Sequence, residues 1–272
     1  MLATMKEVFA TSPQGAVAAF NVFGYEDAAM VVAAAEEAER PVFLMANKVA
    51  VKYMGQEMFF AITSTLAKNA TVPVAIHLDH SDSFEAIKKA VDIGFTSVMF
   101  DGSDLPVEEN IKITRQVVEY ARQRGVSVEA EIGHVSYSDN VQDKNVYTTP
   151  EDAAMFAAST GVDALAVSIG TVHRSVKQGA KLDFDLLEQI RNATSVPLVI
   201  HGSTGVLDND LQKLSRSGVK KINIGTALRQ AFGETLRKEI IARPEVFDRT
   251  EMFRLPMEAV KIKAAEKIRL LK

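Results

Sequence analysis

Short apolar runs alternate with amphipathic stretches along this whole chain, and nearly every run stops at a polar residue. The runs read as strands over Ala16–Phe20, Val42–Met45, Val74–Leu78, Ser97–Phe100, Val126–Ala130, Ala164–Ser168, Leu198–Ile200 and Lys220–Ile222. Pro73 and Pro197 each stand just ahead of a run, where a strand tolerates proline, and unbroken apolar runs suit strands buried on both faces. Between them, Asp27–Glu39, Ser83–Ile93, Val107–Arg124, Pro150–Thr160, Phe184–Asn192, Asp208–Ser217 and Thr226–Ile240 carry apolar residues at helical spacing. Gly94, Gly125, Gly161 and Gly218 follow helices and precede strands, as C-capping residues do. Strand–helix units about 30 residues apart predict parallel strands joined by crossovers. Such units filling 272 residues fit an α/β fold of the closed (β/α)8 TIM-barrel type, whose usual length is about 250 residues. The alternative, a doubly wound open sheet, keeps its site at one switch point. Polar endings on nearly every strand favour the barrel. The expectation is a single catalytic barrel domain over 1–272, in which 241–272 forms a C-terminal helical extension with a basic end at Glu258–Lys272.

Composition removes several classes of chemistry. The chain has no Cys, which excludes disulfides, thiolate nucleophiles and thiolate metal ligands together. Any metal would have to use His and carboxylates. A net charge of −4 speaks against a nucleic-acid partner, since such binders carry a basic face. No apolar run approaches the roughly 20 residues of a membrane span, and Met1–Ala10 lacks the pattern of a signal peptide. A cytoplasmic enzyme without a membrane partner is expected.

The strand endings concentrate the chemistry. Asn21, Asn47, Asp79-His80, Asp101, Glu131, Ser168, His173, His201 and Asn223 follow successive strands, at the rim where barrel enzymes act. A lone His is more often a packing residue, but His80, His173 and His201 share the strand-end position. Three imidazoles with a fourth position open suit zinc. His77 lies two residues before Asp79, on the same side of the strand, and reads as orienting it. His134 falls in a loop and reads as solvated. Asp79 is either an imidazole partner or a general acid/base beside the metal. Neighbours in a strand face opposite ways, so Asp79 and His80 reach one site only if the chain turns there. Asp101-Gly102-Ser103 is either a turn and cap or a site element holding a water or a cation. His201-Gly202-Ser203-Thr204-Gly205 and Asn223-Ile224-Gly225-Thr226 are small-residue loops, the second leading into a helix, and suit an anion.

Taken together, these residues resemble the class II, zinc-dependent ketose-bisphosphate aldolases of the fructose/tagatose-bisphosphate type. The likeness runs from Ala18-Ala19-Phe20-Asn21-Val22 to Lys221-Ile222-Asn223-Ile224-Gly225-Thr226. Its most specific segments are His77-Leu78-Asp79-His80, Ser97–Ser103, Glu129–Gly133, Leu165–His173 and His201-Gly202. The resemblance implies a lyase in which His80, His173 and His201 bind zinc, with Glu131 near the metal or at an alternate site. It implies that Asp79 is the acid/base serving the aldehyde oxygen, and that Gly202, Thr204, Asn223 and Thr226 hold dihydroxyacetone phosphate. Asn21, Asn47, Ser203, Gly225 and Arg174 join the expected substrate pocket, and His77 and Asp101 support the site from behind. The implied reaction is reversible aldol cleavage of a phosphorylated ketose through a metal-stabilised enediolate, giving dihydroxyacetone phosphate and an aldehyde. An additional monovalent cation, a sugar-phosphate partner and a homodimer or homotetramer complete what the likeness implies. No Schiff-base lysine is needed, and Lys221 reads as structural or solvated.

Departures from the family pattern are equally specific. After Gly133 the family shows a Gly-Gly pair and two acidic residues in a mobile loop, where this chain has His134-Val135-Ser136-Tyr137-Ser138-Asp139-Asn140. By count, Asp139 takes the place of the proton-abstracting Glu, one methylene shorter. Arg174 replaces a Gly after the second zinc His, and its fork suits phosphate, carboxylate or sulfonate. A substrate other than fructose 1,6-bisphosphate is therefore expected. Two alternatives stand beside this reading: a metal-dependent barrel hydrolase or isomerase on the same triad, and a non-catalytic paralogue with a regulatory or assembly role.

Overall fold

A computed structural model describes residues 1–12, 14–140 and 142–272. Its strands are β1 (Val17–Asn21), β2 (Val42–Ala46), β3 (Val74–Ser81), β4 (Ser97–Phe100), β5 (Ser127–Ile132), β6 (Ala164–Val167), β7 (Leu198–Ile200) and β8 (Val219–Ile224). They pair in parallel, in chain order, and β8 returns to β1 to close the barrel. The outer layer is α2 (Tyr25–Glu37), α3 (Lys48–Asn69), α4 (Phe84–Ile93), α5 (Val107–Arg122), α6 (Pro150–Thr160), α7 (Phe184–Ala193), α8 (Asp208–Arg216) and α9 (Thr226–Ala242). A short α1 (Met5–Ala10) precedes the barrel, and α10 (Arg249–Leu270) follows it. No helix among the described residues is long and apolar enough to cross a membrane.

Strand periodicity divides the apolar residues between two cores. Ala18, Phe20, Leu44, Val74, Ile76, Val128, Ala130, Ile200 and Ile222 point outward and pack under the helices. Val17, Ala19, Phe43, Met45, Ala75, Met99, Ala164, Ala166 and Val199 point inward and fill the barrel. Large Phe43, Met45 and Met99 interleave with alanines, because a closed eight-stranded barrel has room only for such mixed layers. Met5 and Val8 of α1 belong to this inner core and plug its floor. The Ala3 amide donates to the Val74 carbonyl at 3.0 Å, tying that plug to the base of β3.

Three elements differ from the sequence reading. The segment Lys48–Asn69 is helical but broken at Gly55, whose φ of 77° lies outside the helical region. Its buried side includes Gln56, Thr63 and Ser64, so no clean apolar stripe announces it. The terminal helix starts at Arg249 rather than Glu258 and continues through a buried Pro256. Val260, Ala264, Ala265 and Ile268 of α10 join the outer core, which offsets the local cost of proline. Finally, β3 runs on to Ser81, and its register against β4 slips between Leu78 and Ser81. His80 sits in that bulge with a left-handed φ of 51°. This is the turn that lets Asp79 and His80 face the same side.

Candidate active site

Inward parity carries polar side chains to the C-terminal mouth of the barrel. Asn21 follows Ala19 by two residues, Asp101 follows Met99, and His201 follows Val199, each on the inner face. They meet His80, from its bulge, and His173, from the loop after β6. The ligand atoms of His80, His173 and His201 lie within 4.8 Å of one another, as do those of His80, Asp101 and Glu131.

Hydrogen bonds assign the imidazole nitrogens. Nδ1 of His80 lies 2.7 Å from Asp101 Oδ2, and Nε2 of His201 lies 2.9 Å from Glu129 Oε1. A carboxylate can only accept, so both of these nitrogens carry hydrogen. The remaining nitrogens, His80 Nε2 and His201 Nδ1, face each other at 2.9 Å. Two lone pairs at that distance repel, so a proton or a metal must lie on that side of the rings. Burial opposes charge on His80, but Asp79, Asp101 and Glu131 outweigh it and raise its pKa to about 10. Burial, then the charge of His80, keeps His173 and His201 well below the ordinary imidazole value. Glu131 is pushed up to about 8 by burial and by the charge of Asp101, and its buried Oε2 has no hydrogen-bond partner. Neutral imidazoles, an orphaned carboxylate oxygen and crowded anions fit a divalent cation.

Asp79 stands beside this cluster, only 3% exposed. Asn21 Nδ2 donates to its Oδ2 at 2.8 Å, and Asn223 Nδ2 to its Oδ1 at 3.1 Å. Burial would raise its pKa, but His80, His201, Lys221 and the Asn21 bond together hold it below the ordinary carboxylate value. The expected substrate asparagines thus also grip the carboxylate.

Above these groups opens a cleft of about 120 Å³ lined by Asn21, Asn47, Asp79, His80, His173, Arg174, Gly202, Ser203, Thr204, Asn223, Gly225 and Thr226. Gly202 has φ 68°, and a Cβ there would meet the Val172 carbonyl at 2.8 Å, so only glycine lets the β7 loop pass His173 so closely. A Cβ on Gly225 would come within 2.8 Å of Asn21 Oδ1. Thr226 begins α9, whose first amides face the cleft end of the helix.

The sequence pattern described as fructose-bisphosphate aldolase class-II matches residues 3–272. The chain belongs to the class II fructose-bisphosphate aldolase family. It is 41% identical to the fructose-bisphosphate aldolase of Geobacillus stearothermophilus, over 98% of this chain and 96% of that protein. It is 39% identical to the corresponding protein of Staphylococcus epidermidis RP62A, with the same coverage. The crystal structure of the YdjI aldolase from Escherichia coli K12 superposes with a TM-score of 0.86 at 37% identity, covering 100% of this chain and 97% of that one.

Several site residues of this class II aldolase lie elsewhere than the sequence suggests. His77 does not touch Asp79: its Nδ1 bonds Ser97 Oγ at 2.7 Å one layer deeper, because two residues along a strand advance a whole layer down the barrel. His134 is not solvated but bonds Asp143 at 2.7 Å, closing its own loop. Lys221 is fully buried, so its solvated alternative fails, and its Nζ lies 2.8 Å from Glu129 Oε2. Asn47 lines the cleft while its oxygen caps α3 at Val49 and Ala50. The hydroxyl of Ser203 donates to the Asn223 carbonyl, so Ser203 can donate to an anion only through its backbone. Asp139 sits exposed outside the cleft lining, held by Arg174 Nη1 at 2.7 Å.

Three residues escaped sequence reasoning. Glu129 orients His201, and only its place two residues before Glu131, on the same inner face, could have flagged it. Tyr137 and Arg229 line the cleft, from a loop and from the first turns of α9, and neither carries a local signature.

Proposed function

We propose that this aldolase performs reversible aldol cleavage of a phosphorylated ketose, giving dihydroxyacetone phosphate and an aldehyde, at the mouth of the barrel. The observation that carries this reading is the carboxylate of Asp79, clamped by Asn21 and Asn223 beside three converging imidazoles. His80, His173 and His201 would hold the metal, zinc by their all-nitrogen donor set, with Glu131 and Asp101 as the neighbouring alternate group. That ion supplies Lewis-acid polarisation of the ketose carbonyl. Held as a carboxylate at neutral pH, Asp79 is in the form that accepts the hydroxyl proton as the carbon–carbon bond breaks. In the synthetic direction it returns that proton to the new hydroxyl. The amides at the start of α9, Gly202 and Thr204 bind the phosphate, and a monovalent cation there would share its charge. Asp139 is assigned the proton on carbon, which requires it to leave Arg174.

Arg174 marks the substrate as different from fructose 1,6-bisphosphate, because a guanidinium next to a metal ligand reads an anion close to the reacting carbons. A panel of phosphorylated ketoses assayed with the wild type and Arg174→Ala tests this. We expect the preferred substrate to lose roughly 10- to 100-fold in kcat/KM, the worth of a charged hydrogen bond. Unchanged preference would overturn the assignment.

Metal uptake has a defined pH dependence. With protein groups alone, His80 holds its extra proton up to about pH 10 and Glu131 up to about pH 8. A metal must displace those protons, so apparent affinity rises with pH, about tenfold per unit for each proton expelled. Zinc titrations of metal-free protein at three pH values, in buffers of different ionisation heat, measure both slope and proton release. One zinc per chain is expected, and His201→Ala should abolish it. A pH-independent affinity would show that these groups are already unprotonated.

A further inference from the structure

A histidine holds a metal well when its ring is fixed with one nitrogen towards the ion, and a hydrogen bond from the other nitrogen usually fixes it. His80 donates such a bond to Asp101, and His201 to Glu129. His173 has no such bond: among the described residues, neither of its ring nitrogens meets a hydrogen-bond partner. Its ring still converges with the others, at centroid distances of 4.9 Å from His80 and 5.9 Å from His201. The torsion that swings a histidine ring is soft, so another contact must set this one. Tyr137 supplies it. The phenol stacks on the His173 ring, with centroids 4.8 Å apart and planes at 23°. Swinging the imidazole out of that plane would drive its edge into the phenol, and the His80 ring stands against it at 78°.

The phenol is itself held by its loop. The His173 amide donates to the Ser136 carbonyl at 2.8 Å and the Ser138 amide to the His173 carbonyl at 3.0 Å, so Tyr137 and His173 pair like neighbours in parallel strands. The Tyr137 amide donates to Asp143 Oδ2 at 2.8 Å and the Ser136 amide to Asn145 Oδ1 at 2.7 Å. Asn145 Nδ2 then donates to the Thr171 carbonyl at 3.0 Å, closing the link between the loops after β5 and β6. Arg174, with φ 55°, lies over the same phenol, its guanidinium carbon 4.9 Å from the ring centroid. We infer that Tyr137 is a positioning residue for the metal site: its stacked ring holds His173 in the ligating orientation that hydrogen bonds enforce for His80 and His201, and so couples docking of the β5 loop to metal occupancy. The inference rests on the reading of His173 as a metal ligand. The coupling is reciprocal: a docked loop holds His173 for the ion, and an ion that holds His173 favours the docked loop. Asp139 lies two residues beyond Tyr137, so the same docking sets where the carboxylate assigned the carbon proton starts from.

The test measures zinc affinity at one pH, by competition with a chromophoric chelator, for metal-free wild type, Tyr137→Phe and Tyr137→Leu. Tyr137→Leu should bind zinc roughly 3- to 10-fold more weakly, the worth of an aromatic pair, whereas Tyr137→Phe keeps the ring and should stay within about twofold of wild type. In a His173→Ala background, Tyr137→Leu should change the affinity little, because the ring it positions is gone. With cobalt in place of zinc, the visible spectrum of Tyr137→Leu should move towards that of His173→Ala, while Tyr137→Phe matches wild type. Zinc should also slow hydrogen exchange at the Ser138 amide in wild type, and less so in Tyr137→Leu. Metal-free Tm should be alike in all three proteins, since the stack belongs to a loop. Four results overturn the positioning role while leaving the metal site in place: wild-type zinc affinity in Tyr137→Leu, an equal loss in Tyr137→Phe, the same loss with His173 absent, or a fall in metal-free Tm that tracks the loss. Failure of wild type to bind zinc at all overturns both.

Discussion

Turnover of Asp79→Ala is expected to fall by roughly 10²- to 10⁴-fold, the usual worth of a positioned general acid/base. Zinc content should stay at the wild-type level, because Asp79 is absent from both groups of converging ligand atoms. The size of the loss follows from how completely the carboxylate is fixed. Both oxygens accept amide hydrogens, at 2.8 Å from Asn21 and 3.1 Å from Asn223, and the group is buried. The isosteric Asp79→Asn should be almost as damaging, because its amide would set a donor against one of those two donors. Steady-state kinetics with metal analysis on the same preparations measures both quantities. A fall in kcat with metal retained is the expected pattern. Full activity in Asp79→Ala would assign the hydroxyl proton to another group.

The largest expected effect on stability comes from Lys221→Met. The ammonium is completely buried, lies 2.8 Å from Glu129 Oε2 and faces the Phe43 ring at 5.6 Å. Glu129 is equally buried, and its other oxygen accepts from His201. Removing the lysine leaves that carboxylate uncompensated in the barrel interior, which costs about 3–5 kcal/mol. For a chain of this size that is roughly 10 °C in Tm. Lys221→Met/Glu129→Gln removes both charges and should recover much of the loss, since replacing a whole buried pair is often close to neutral. The double variant should still bind zinc more weakly than wild type, because a neutral amide orients His201 less firmly than a carboxylate. Thermal unfolding of metal-free samples separates the stability effect from the metal effect. Equal Tm values for the wild type and Lys221→Met would show that the pair contributes nothing to the fold.

These two predictions differ in how visible their residues are in the sequence. Asp79 is legible, since it ends an apolar run and lies in phase with the inner face through Ala75 and His77. Glu129 and Lys221 sit inside their strands, where the same alternation forecasts a packed apolar layer. They find each other across 92 residues, only because β8 closes onto β1 and brings its inner face opposite β5. The helix at Lys48–Asn69 lacks a legible stripe for a different reason: Thr63 and Ser64 turn their hydroxyls back to the Phe59 and Ala61 carbonyls of the same helix, and only Gln56 reaches another element, at the Ala86 carbonyl. His134 and Asp139 look alike in the sequence, as polar loop residues. Their partners, Asp143 and Arg174, differ because one bond closes a single loop and the other joins two.

The sequence by itself determined the barrel and most of its rim. A strand alternates its side chains with period two, so Asn21, Asp101 and His201 were bound to point inward with the apolar residues in phase with them, and Glu131 and Asn223 once their apolar strand neighbours packed outward under the helices. Only the tertiary structure decided how His80 joins them. It lies out of phase with the inner face, and a bulge with a left-handed residue, held by the neighbouring β4, rotates it into the mouth of the barrel. The same holds for the Tyr137–Arg174 stack and the Glu129–Lys221 pair. Periodicity is local and can be read from a chain, whereas which inner faces meet depends on strand register and closure, which act over the whole barrel.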